Sequence, residues 1–265
     1  MKLTVLVENT SNCSLQAEHG LSLFIEHNNL NFLFDMGQKD LFKHNAELLQ
    51  IPIEKVDFAI ISHSHYDHGG GLSTFLDTNH KAKIYLRAFE PCYSKKDFGM
   101  KYIGLDEELK KSNRLIFCSE KEYITPEIIL FSNVKERLYY SSLNNLLFLK
   151  KQDLFINDTF DHEQNLIIKE GKKNILIAGC AHTGIINIIN KAEAILGEKI
   201  TDVVGGFHLK GLENDDFIKT FAEALKKYPC NFYTCHCTGT ESYLKLKDIL
   251  GNQIQYLSCG MNLTL

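Results

Sequence analysis

The segment from residue 63 to residue 68 concentrates the side chains that are best suited to hold a metal ion. It offers three imidazoles and one carboxylate within six positions, namely His63, His65, Asp67 and His68. The apolar run at residues 58–61 predicts a strand, and strand alternation would turn His63 and His65 to one side. Asp67 and His68, on the turn beyond, are then available to a second ion. Imidazole and carboxylate ligands suit zinc, and also iron or manganese.

Three glycines at residues 69–71 follow this segment directly. We expect them to let the backbone turn sharply without a side chain crowding the site. A solvated loop would be the simpler interpretation of a lone histidine, but the clustering of four donors favours metal binding.

The elements that must position these residues are predicted from hydrophobic periodicity. Strands are predicted at residues 2–7, 21–26, 30–34, 58–61, 83–86, 165–169, 174–178, 202–205, 231–234 and 254–257. Helices are predicted at residues 40–49, 71–76, 185–196, 215–227 and 241–249. Two β-rich halves, each followed by helices, indicate a pair of facing sheets covered by helices on both outer sides.

Residues 90–136 are the least regular part of the chain and mix charged, aromatic and glycine residues. We interpret them as an insertion or lid, because long connections in compact domains tend to be functional. Two β-like runs within them, residues 114–117 and 128–131, are expected to extend a sheet. Since no Pro/Ser-rich linker interrupts the chain, we predict a single domain over residues 1–265.

The pattern His-x-His-x-Asp-His after a strand resembles the signature of the metallo-β-lactamase superfamily. The resemblance implies an α/β fold, a four-layer αββα sandwich, with a two-metal site at the sheet edges. Residues 34–37, Phe-Asp-Met-Gly, resemble the early Asp-x-Gly turn of that superfamily. This implies that Asp35 has a structural role and braces the metal loop without binding metal.

Four further segments resemble one subgroup of the superfamily. They are Ala-Glu-His-Gly-Leu-Ser at residues 17–22, Gly-Cys-Ala-His-Thr-Gly at 179–184, Gly-Gly-Phe-His-Leu at 205–209 and Cys-His-Cys-Thr-Gly at 235–239. The subgroup is labelled 7,8-dihydropterin-6-methyl-4-(ribofuranosyl)aminobenzene-5'-phosphate synthase. The label implies a phosphorylated or pterin-like small molecule as the substrate.

The resemblance also implies the remaining metal ligands. His182 joins His63 and His65 on the first ion, and His236 joins Asp67 and His68 on the second. Both added histidines follow predicted strands, at positions where α/β sites assemble. His162 stays open as an alternative to His182, because its distance from residue 180 matches that of the usual third histidine from the bridging aspartate.

The sequence departs from the superfamily at Cys180, where many members carry an aspartate that bridges both ions. The Cys180 thiolate can bridge the ions or lie beside them and leave water to bridge. His208 can touch an ion or bind an anionic substrate, and Glu18 and His19 are candidates for orienting the substrate.

The implied cofactors are two divalent metal ions, with zinc favoured and iron or manganese as alternatives. A metal-bound hydroxide would attack an electrophilic carbon or phosphorus centre, and Asp67 is the predicted catalytic residue because it can accept the proton. The function predicted is therefore that of a metal-dependent hydrolase or transferase. The alternatives are a di-iron oxidoreductase on the same scaffold and a non-catalytic, metal-dependent metabolite-binding protein.

The net charge of -4 and the isoelectric point near 6.3 argue against a protein that neutralises nucleic-acid phosphates. We expect a small-molecule substrate, no nucleic acid, no membrane span and a cytoplasmic location, and the chain is compatible with a homo-oligomer. The eight cysteines are expected to be reduced thiols. Alternation on a strand would set Cys235 and Cys237 opposite His236, which favours core packing for both cysteines.

Overall fold

The computed structural model describes residues 1–212 and 214–265. The chain falls into two compact units. Unit 1 comprises Met1–Ser119, Asn145–Gln164 and Ser258–Thr264, and unit 2 comprises Glu120–Asn144, Asn165–Leu257 and Leu265. The interpretation of the whole chain as one domain, with residues 90–136 as a lid, stays a prediction.

The strands and α-helices are numbered in chain order. The strands are β1 Lys2–Val7, β2 Ser22–His27, β3 Leu30–Phe34, β4 Phe58–Ile60, β5 Lys83–Leu86, β6 Cys92–Lys96, β7 Gly99–Tyr102, β8 Leu115–Phe117, β9 Lys121–Thr125, β10 Ile128–Ser132, β11 Leu147–Lys151, β12 Leu154–Asn157, β13 Gln164–Glu170, β14 Lys173–Ala178, β15 Asp202–Gly205, β16 Asn231–Thr234, β17 Ile254–Tyr256 and β18 Asn262–Thr264. The helices are α1 Leu41–Leu48, α2 Tyr66–Gly69, α3 Leu72–Thr78, α4 Ile185–Leu196, α5 Asp215–Leu225 and α6 Thr240–Leu250.

Unit 1 contains a seven-stranded sheet in the order β18-β1-β2-β3-β4-β5-β8. Strands β18, β1, β2 and β3 pair in antiparallel fashion, whereas β3, β4, β5 and β8 run parallel to one another. The carboxyl ends of β3 and β4 therefore meet at one edge, which brings the turn after Phe34 beside the segment after Ile60. A second, four-stranded sheet of unit 1 has the order β12-β11-β6-β7.

Unit 2 is built on a seven-stranded sheet in the order β17-β16-β15-β14-β13-β10-β9. Strands β14 to β17 are parallel, so the turns that follow β14, β15 and β16 emerge at one edge of the sheet. Helices α4 and α5 pack their apolar faces, including Ile189 and Phe221, into a core with Phe232 of β16. Asn214 caps α5 by accepting a hydrogen bond from the Phe217 amide, and α4 ends at Gly197 in the left-handed conformation.

Most predicted elements lie within two residues of the observed ones. The runs at residues 114–117 and 128–131 extend sheets as expected, since β8 lies at the edge of the unit 1 sheet and β10 lies in the unit 2 sheet. The prediction that residues 254–257 form the last strand is wrong, because β18 follows and pairs with β1. No helix within residues 1–212 and 214–265 is both long and apolar enough to cross a membrane.

Candidate metal centre

The four donors of the segment at residues 63–68 are buried together in unit 1. The Nε2 atom of His63 lies 3.0 Å from the Nδ1 atom of His65. Strand alternation is not the cause, since β4 ends at Ile60 and the two histidines lie in a loop before the short helix α2. The two rings are close together, as predicted, but the loop conformation and not strand alternation is the reason.

Asp35 braces this loop through three hydrogen bonds. Its carboxylate accepts from the Ser62 amide at 2.7 Å, from the Ser62 hydroxyl at 2.7 Å and from Nδ1 of His68 at 2.6 Å. Asp35 itself adopts a left-handed backbone conformation, with φ of 61°. Strained residues of this kind persist where the surrounding contacts fix them, and they are common at functional sites.

The same network fixes which nitrogen of each ring carries the proton. The hydroxyl of Ser62 gives its hydrogen to Asp35, so it accepts from Nδ1 of His63 at 2.8 Å. His63 and His68 therefore carry their protons on Nδ1 and keep lone pairs on Nε2. A neutral imidazole that donates its other N–H to an oxygen acceptor is the form in which histidine ligates metals.

His65 is held in the neutral state as well. Complete burial, followed by the nearby imidazole of His162, lowers its pKa to about 3. A metal ion that binds His65 at neutral pH consequently displaces no proton from this ring.

The loop at residues 18–20 reaches the same cluster. The Nε2 atom of His19 lies 3.2 Å from an oxygen of Asp67, and the His19 side chain is 44% exposed. The carboxylate of Glu18 instead accepts a hydrogen bond from the Gln38 amide at 2.9 Å. Burial is the largest influence on Glu18 and raises its pKa. His19 is thus adjacent to the cluster, Glu18 supports a neighbouring turn, and a substrate role for either stays a prediction.

Gly70 is needed for a close approach of two chain segments. A Cβ atom at this position would overlap with the carbonyl oxygens of Gln38 and Tyr66. Its φ of -65° is open to any residue, so the close approach, and not a left-handed turn, requires glycine here.

His162 lies near His65 in unit 1, and a ring nitrogen of His162 lies within 4.8 Å of donor atoms of His65, Cys92 and Asp158. Its Nδ1 accepts from the Ser64 amide at 3.1 Å, so Nε2 carries the proton and donates it to Asp158 at 3.0 Å. The Sγ of Cys92 lies 3.8 Å from the same Nε2. Because a backbone amide can only donate, Nδ1 is occupied, and a metal ion would have to displace the proton of Nε2. Which of His162 and His182 is the third ligand stays a prediction.

Asp158 and Cys92 were not singled out in the sequence. Burial alone would raise the pKa of Asp158, but His162 and the Phe160 amide outweigh burial and lower it. The four-residue spacing between Asp158 and His162 was the signal that could have pointed to this buried pair.

Unit 2 gathers its own set of donors on the turns that follow its parallel strands. The donor atoms of Cys180, His182 and His208 lie within 4.8 Å of one another, and so do those of Cys180, His236 and Cys237. The Nδ1 atom of His182 donates to the side-chain oxygen of Asn144 at 2.9 Å, which leaves Nε2 with its lone pair. Among the residues that the structure describes, neither ring nitrogen of His208 has a hydrogen-bond partner.

Cys237 is buried, as predicted, but it does not lie opposite His236, since its Sγ and a ring nitrogen of His236 lie within 4.8 Å of each other. Because β16 ends at Thr234 and His236 is left-handed with φ of 50°, strand alternation does not continue through residue 237. The Cys237 thiol donates to the Cys180 carbonyl at 3.5 Å and accepts from the His208 amide at 3.3 Å. Burial would raise the pKa of Cys237, but Cys180 and the imidazoles of His208 and His236 lower it well below its usual value. Cys235 is buried, as predicted.

The structure thus brings the predicted donors together within each unit: His63, His65, Asp67 and His68 in unit 1, and Cys180, His182, His208 and His236 in unit 2. That they serve the same two ions stays a prediction. The structure describes all eight cysteines as thiols and not as disulfides.

Comparisons with known proteins agree with the motifs. The profile of a family described as the metallo-beta-lactamase superfamily matches residues 15–186. An uncharacterized protein of Methanocaldococcus jannaschii is 32% identical over 256 residues, covering 93% of this chain and 94% of that protein. The 7,8-dihydropterin-6-methyl-4-(beta-D-ribofuranosyl)-aminobenzene-5'-phosphate synthase of the same organism is 28% identical over 280 residues, covering 98% of this chain and 95% of that protein.

Among solved structures, the crystal structure of Tm1679, a metal-dependent hydrolase of the beta-lactamase superfamily, aligns with a TM-score of 0.85. The two proteins are 29% identical, and the alignment covers 100% of this chain and 99% of that one. This similarity confirms the predicted fold class.

Proposed function

Because the chain belongs to the metallo-β-lactamase superfamily, we propose that it is a metal-dependent hydrolase or transferase that uses a metal-activated water on a small, phosphorylated or pterin-like substrate. The membership itself and the hydrolase-like fold are shown by the family match and by the solved relative. The activity and the substrate are the proposal.

The observation that carries the proposal is the hydrogen-bond network of Asp35 and Ser62. It buries His63 and His68 with their Nε2 lone pairs unprotonated, while His65 is neutral beside them. Neutral imidazoles that keep a lone pair on one ring nitrogen and are gathered around a carboxylate are the donor set that a divalent ion takes.

The proposed ligands are His63, His65 and His182 for one ion and Asp67, His68 and His236 for the other. This grouping rests on the motifs and on family membership. Bound divalent ions lower the pKa of water towards neutrality and neutralise charge that builds on oxygen atoms. Zinc is favoured because imidazoles dominate the set.

Two further residues have roles in this proposal. Asp67 accepts the proton of the attacking water, and His19 relays it to solvent, since His19 contacts Asp67 at 3.2 Å and is partly exposed. His208 binds an anionic oxygen of the substrate through a ring nitrogen that has no partner among the described residues.

The substrate class is inferred from the relative that is named as a dihydropterin ribofuranosyl-aminobenzene phosphate synthase. The net charge of -4 supports a small molecule over a nucleic acid.

The test compares wild type with His65→Ala and with His44→Ala, an exposed histidine on α1. Metal content is measured by mass spectrometry, and turnover is measured against a panel of phosphate esters, phosphodiesters and carboxylic esters. We expect His65→Ala to lose metal and to lose turnover by a factor of about 100 or more, while His44→Ala matches wild type. Equal metal content and equal turnover in wild type and His65→Ala would refute the proposal. Iron content with oxygen-dependent turnover would instead favour the di-iron alternative, and metal binding without any turnover would favour the metabolite-binding alternative.

A further inference from the structure

We propose that Cys237 is a metal ligand, and that with Cys180 and His236 it forms a thiolate-rich site in unit 2 that selects zinc or another thiophilic divalent ion. The proposal rests on the proposed function in one respect, namely that the protein binds a divalent metal through His236. It adds the Cys237 sulfur, which the family motifs do not assign, to the ligands of the ion that His236 binds.

The three donors lie close together. Their ligand atoms all lie within 4.8 Å of one another, and all three side chains are buried. Bonds of about 2.3 Å to sulfur and about 2.0 Å to nitrogen set neighbouring ligand atoms roughly 3.3 to 3.8 Å apart in a tetrahedral site. The observed upper limit of 4.8 Å is about 1 Å longer than this spacing, so the three donors form a group that could hold one ion.

The sulfur of Cys237 is held in place by backbone groups. It accepts a hydrogen bond from the His208 amide at 3.3 Å, and the Cys237 carbonyl accepts from the amides of Leu209 and Lys210 at 2.9 and 2.8 Å. Backbone N–H groups that point at sulfur stabilise a thiolate and tune metal–sulfur sites. A packing role alone would not require these contacts.

Gly206 makes room for this sulfur. A Cβ atom at residue 206 would overlap with Sγ of Cys237, so the glycine turn after β15 is shaped around the thiol. The Gly206 amide also donates to the carbonyl of Gly179, which ties this turn to the residue before Cys180. The space between the two turns thus fits a sulfur atom.

Left-handed, non-glycine residues mark each of the three turns. Ala181, His208 and His236 have φ values of 52°, 52° and 50°. Such conformations are unfavourable for residues with a Cβ atom and cluster where a functional geometry is imposed. Their presence on all three turns supports a function for the arrangement, independently of the distances.

The donor chemistry selects the ion. Thiolates favour zinc, cobalt, cadmium and ferrous iron, whereas magnesium and calcium favour oxygen ligands. On binding, each sulfur forms a bond to the ion and loses its S–H proton to solvent, and no redox change is involved. We therefore expect this protein to hold zinc in the presence of a large excess of magnesium.

The test loads the reduced, metal-free protein with Co²⁺ and records its near-ultraviolet spectrum, where cobalt thiolates absorb strongly and cobalt bound by nitrogen and oxygen does not. Wild type should show this thiolate band. Cys237→Ser should lose about half of it, since one of two sulfur ligands is removed. Cys235→Ser is the matched control, because Cys235 is buried next to His236 but lies outside the cluster, and it should keep the full band.

X-ray absorption of the wild-type zinc protein gives a measurement that requires no variant. Zinc–sulfur scattering at about 2.3 Å supports the proposal. Cobalt that binds without a thiolate band, or zinc surrounded only by nitrogen and oxygen, overturns it and leaves the proposed hydrolytic function standing. Wild type that binds no metal overturns this proposal and the proposed function together, and the ester panel then shows no turnover.

Discussion

The donor side chains of the two clusters are oriented by different kinds of contact. In unit 1, four donors lie within six consecutive residues. The Asp35 carboxylate orients two of them, His63 through the Ser62 hydroxyl and His68 by a direct hydrogen bond. In unit 2, the donors come from three turns after β14, β15 and β16, and backbone amides, glycines and left-handed residues orient them.

The difference shows how a local motif and a sheet topology can each build a binding cluster. The first cluster depends on a buried charge, whereas the second depends on the order of parallel strands and on the shape of the backbone. Removing a buried charge should therefore destabilise the cluster of unit 1 most. Changing the backbone packing should destabilise the cluster of unit 2 most.

The largest effect is expected for Asp35→Ala. It leaves three buried donors without their acceptor, and we expect the free energy of unfolding to fall by about 3–5 kcal/mol. Metal affinity should fall about 10- to 100-fold. Urea unfolding and metal titration measure the two effects. Asp57→Ala is the control, because Asp57 is an exposed aspartate that accepts a hydrogen bond from the Asn31 amide. Equal losses in the two variants would contradict the bracing role of Asp35.

A smaller effect is expected for Gly206→Ala, which tests the backbone design of unit 2. The added methyl group overlaps with the Cys237 sulfur, so we expect a loss of about 1–3 kcal/mol on unfolding. Cys237→Ala removes the overlapping atom, and the double variant should recover part of the loss, which a double-mutant cycle measures. If the two losses of unfolding free energy are strictly additive, then Gly206 does not make room for the Cys237 sulfur.

Asn144→Ala should cost about 1–2 kcal/mol, because His182 loses the neutral acceptor of its Nδ1 proton. The loss should be smaller than that for Asp35→Ala, since no charge is removed. Thermal unfolding of the metal-free proteins compares them directly. If Asn144→Ala lowers the free energy of unfolding as much as Asp35→Ala does, then the charge of Asp35 adds nothing to its role as an acceptor.

The smallest effect concerns pH. In the metal-free protein the pKa of His65 is about 3 in the folded state, against 6.5 for an ordinary histidine. Below pH 6.5 His65 therefore binds a proton in the unfolded chain but not in the folded chain. The free energy of unfolding falls as the pH falls. Between pH 6.5 and 5.5 the loss amounts to about 1 kcal/mol. His65→Asn should lack this component, and identical pH profiles for the two proteins would contradict the burial of a neutral His65.

The sequence predicts the unit 1 cluster because its donors are neighbours in the chain. Phe34-Asp35-Met36-Gly37 was recognised as a separate motif, and the hydrogen bonds of Asp35 match the bracing role expected for it. The contact of His162 with Cys92 escaped prediction, because it joins a loop to β6, which lies 70 positions earlier in the chain.

The predicted orientation of Cys237 opposite His236 is wrong for a local reason. Its predicted orientation required β16 to continue, and no pattern in Thr-Cys-His-Cys marks the end of that strand at Thr234. Strand β18 was missed because three residues are too few for an alternation to be detected. Strand β12 was missed because all four of its residues are exposed, so it has no buried face.

The pairing of β1 with β18 has a consequence for biosynthesis. Thr4 and Asn262 share a hydrogen bond although 258 positions separate them. During synthesis on the ribosome, the edge of β1 that pairs with β18 stays unpaired until nearly all of unit 2 has been translated. An uncovered strand edge of this kind invites pairing with other nascent chains, so the yield of soluble protein should depend on chaperone capacity and on translation speed.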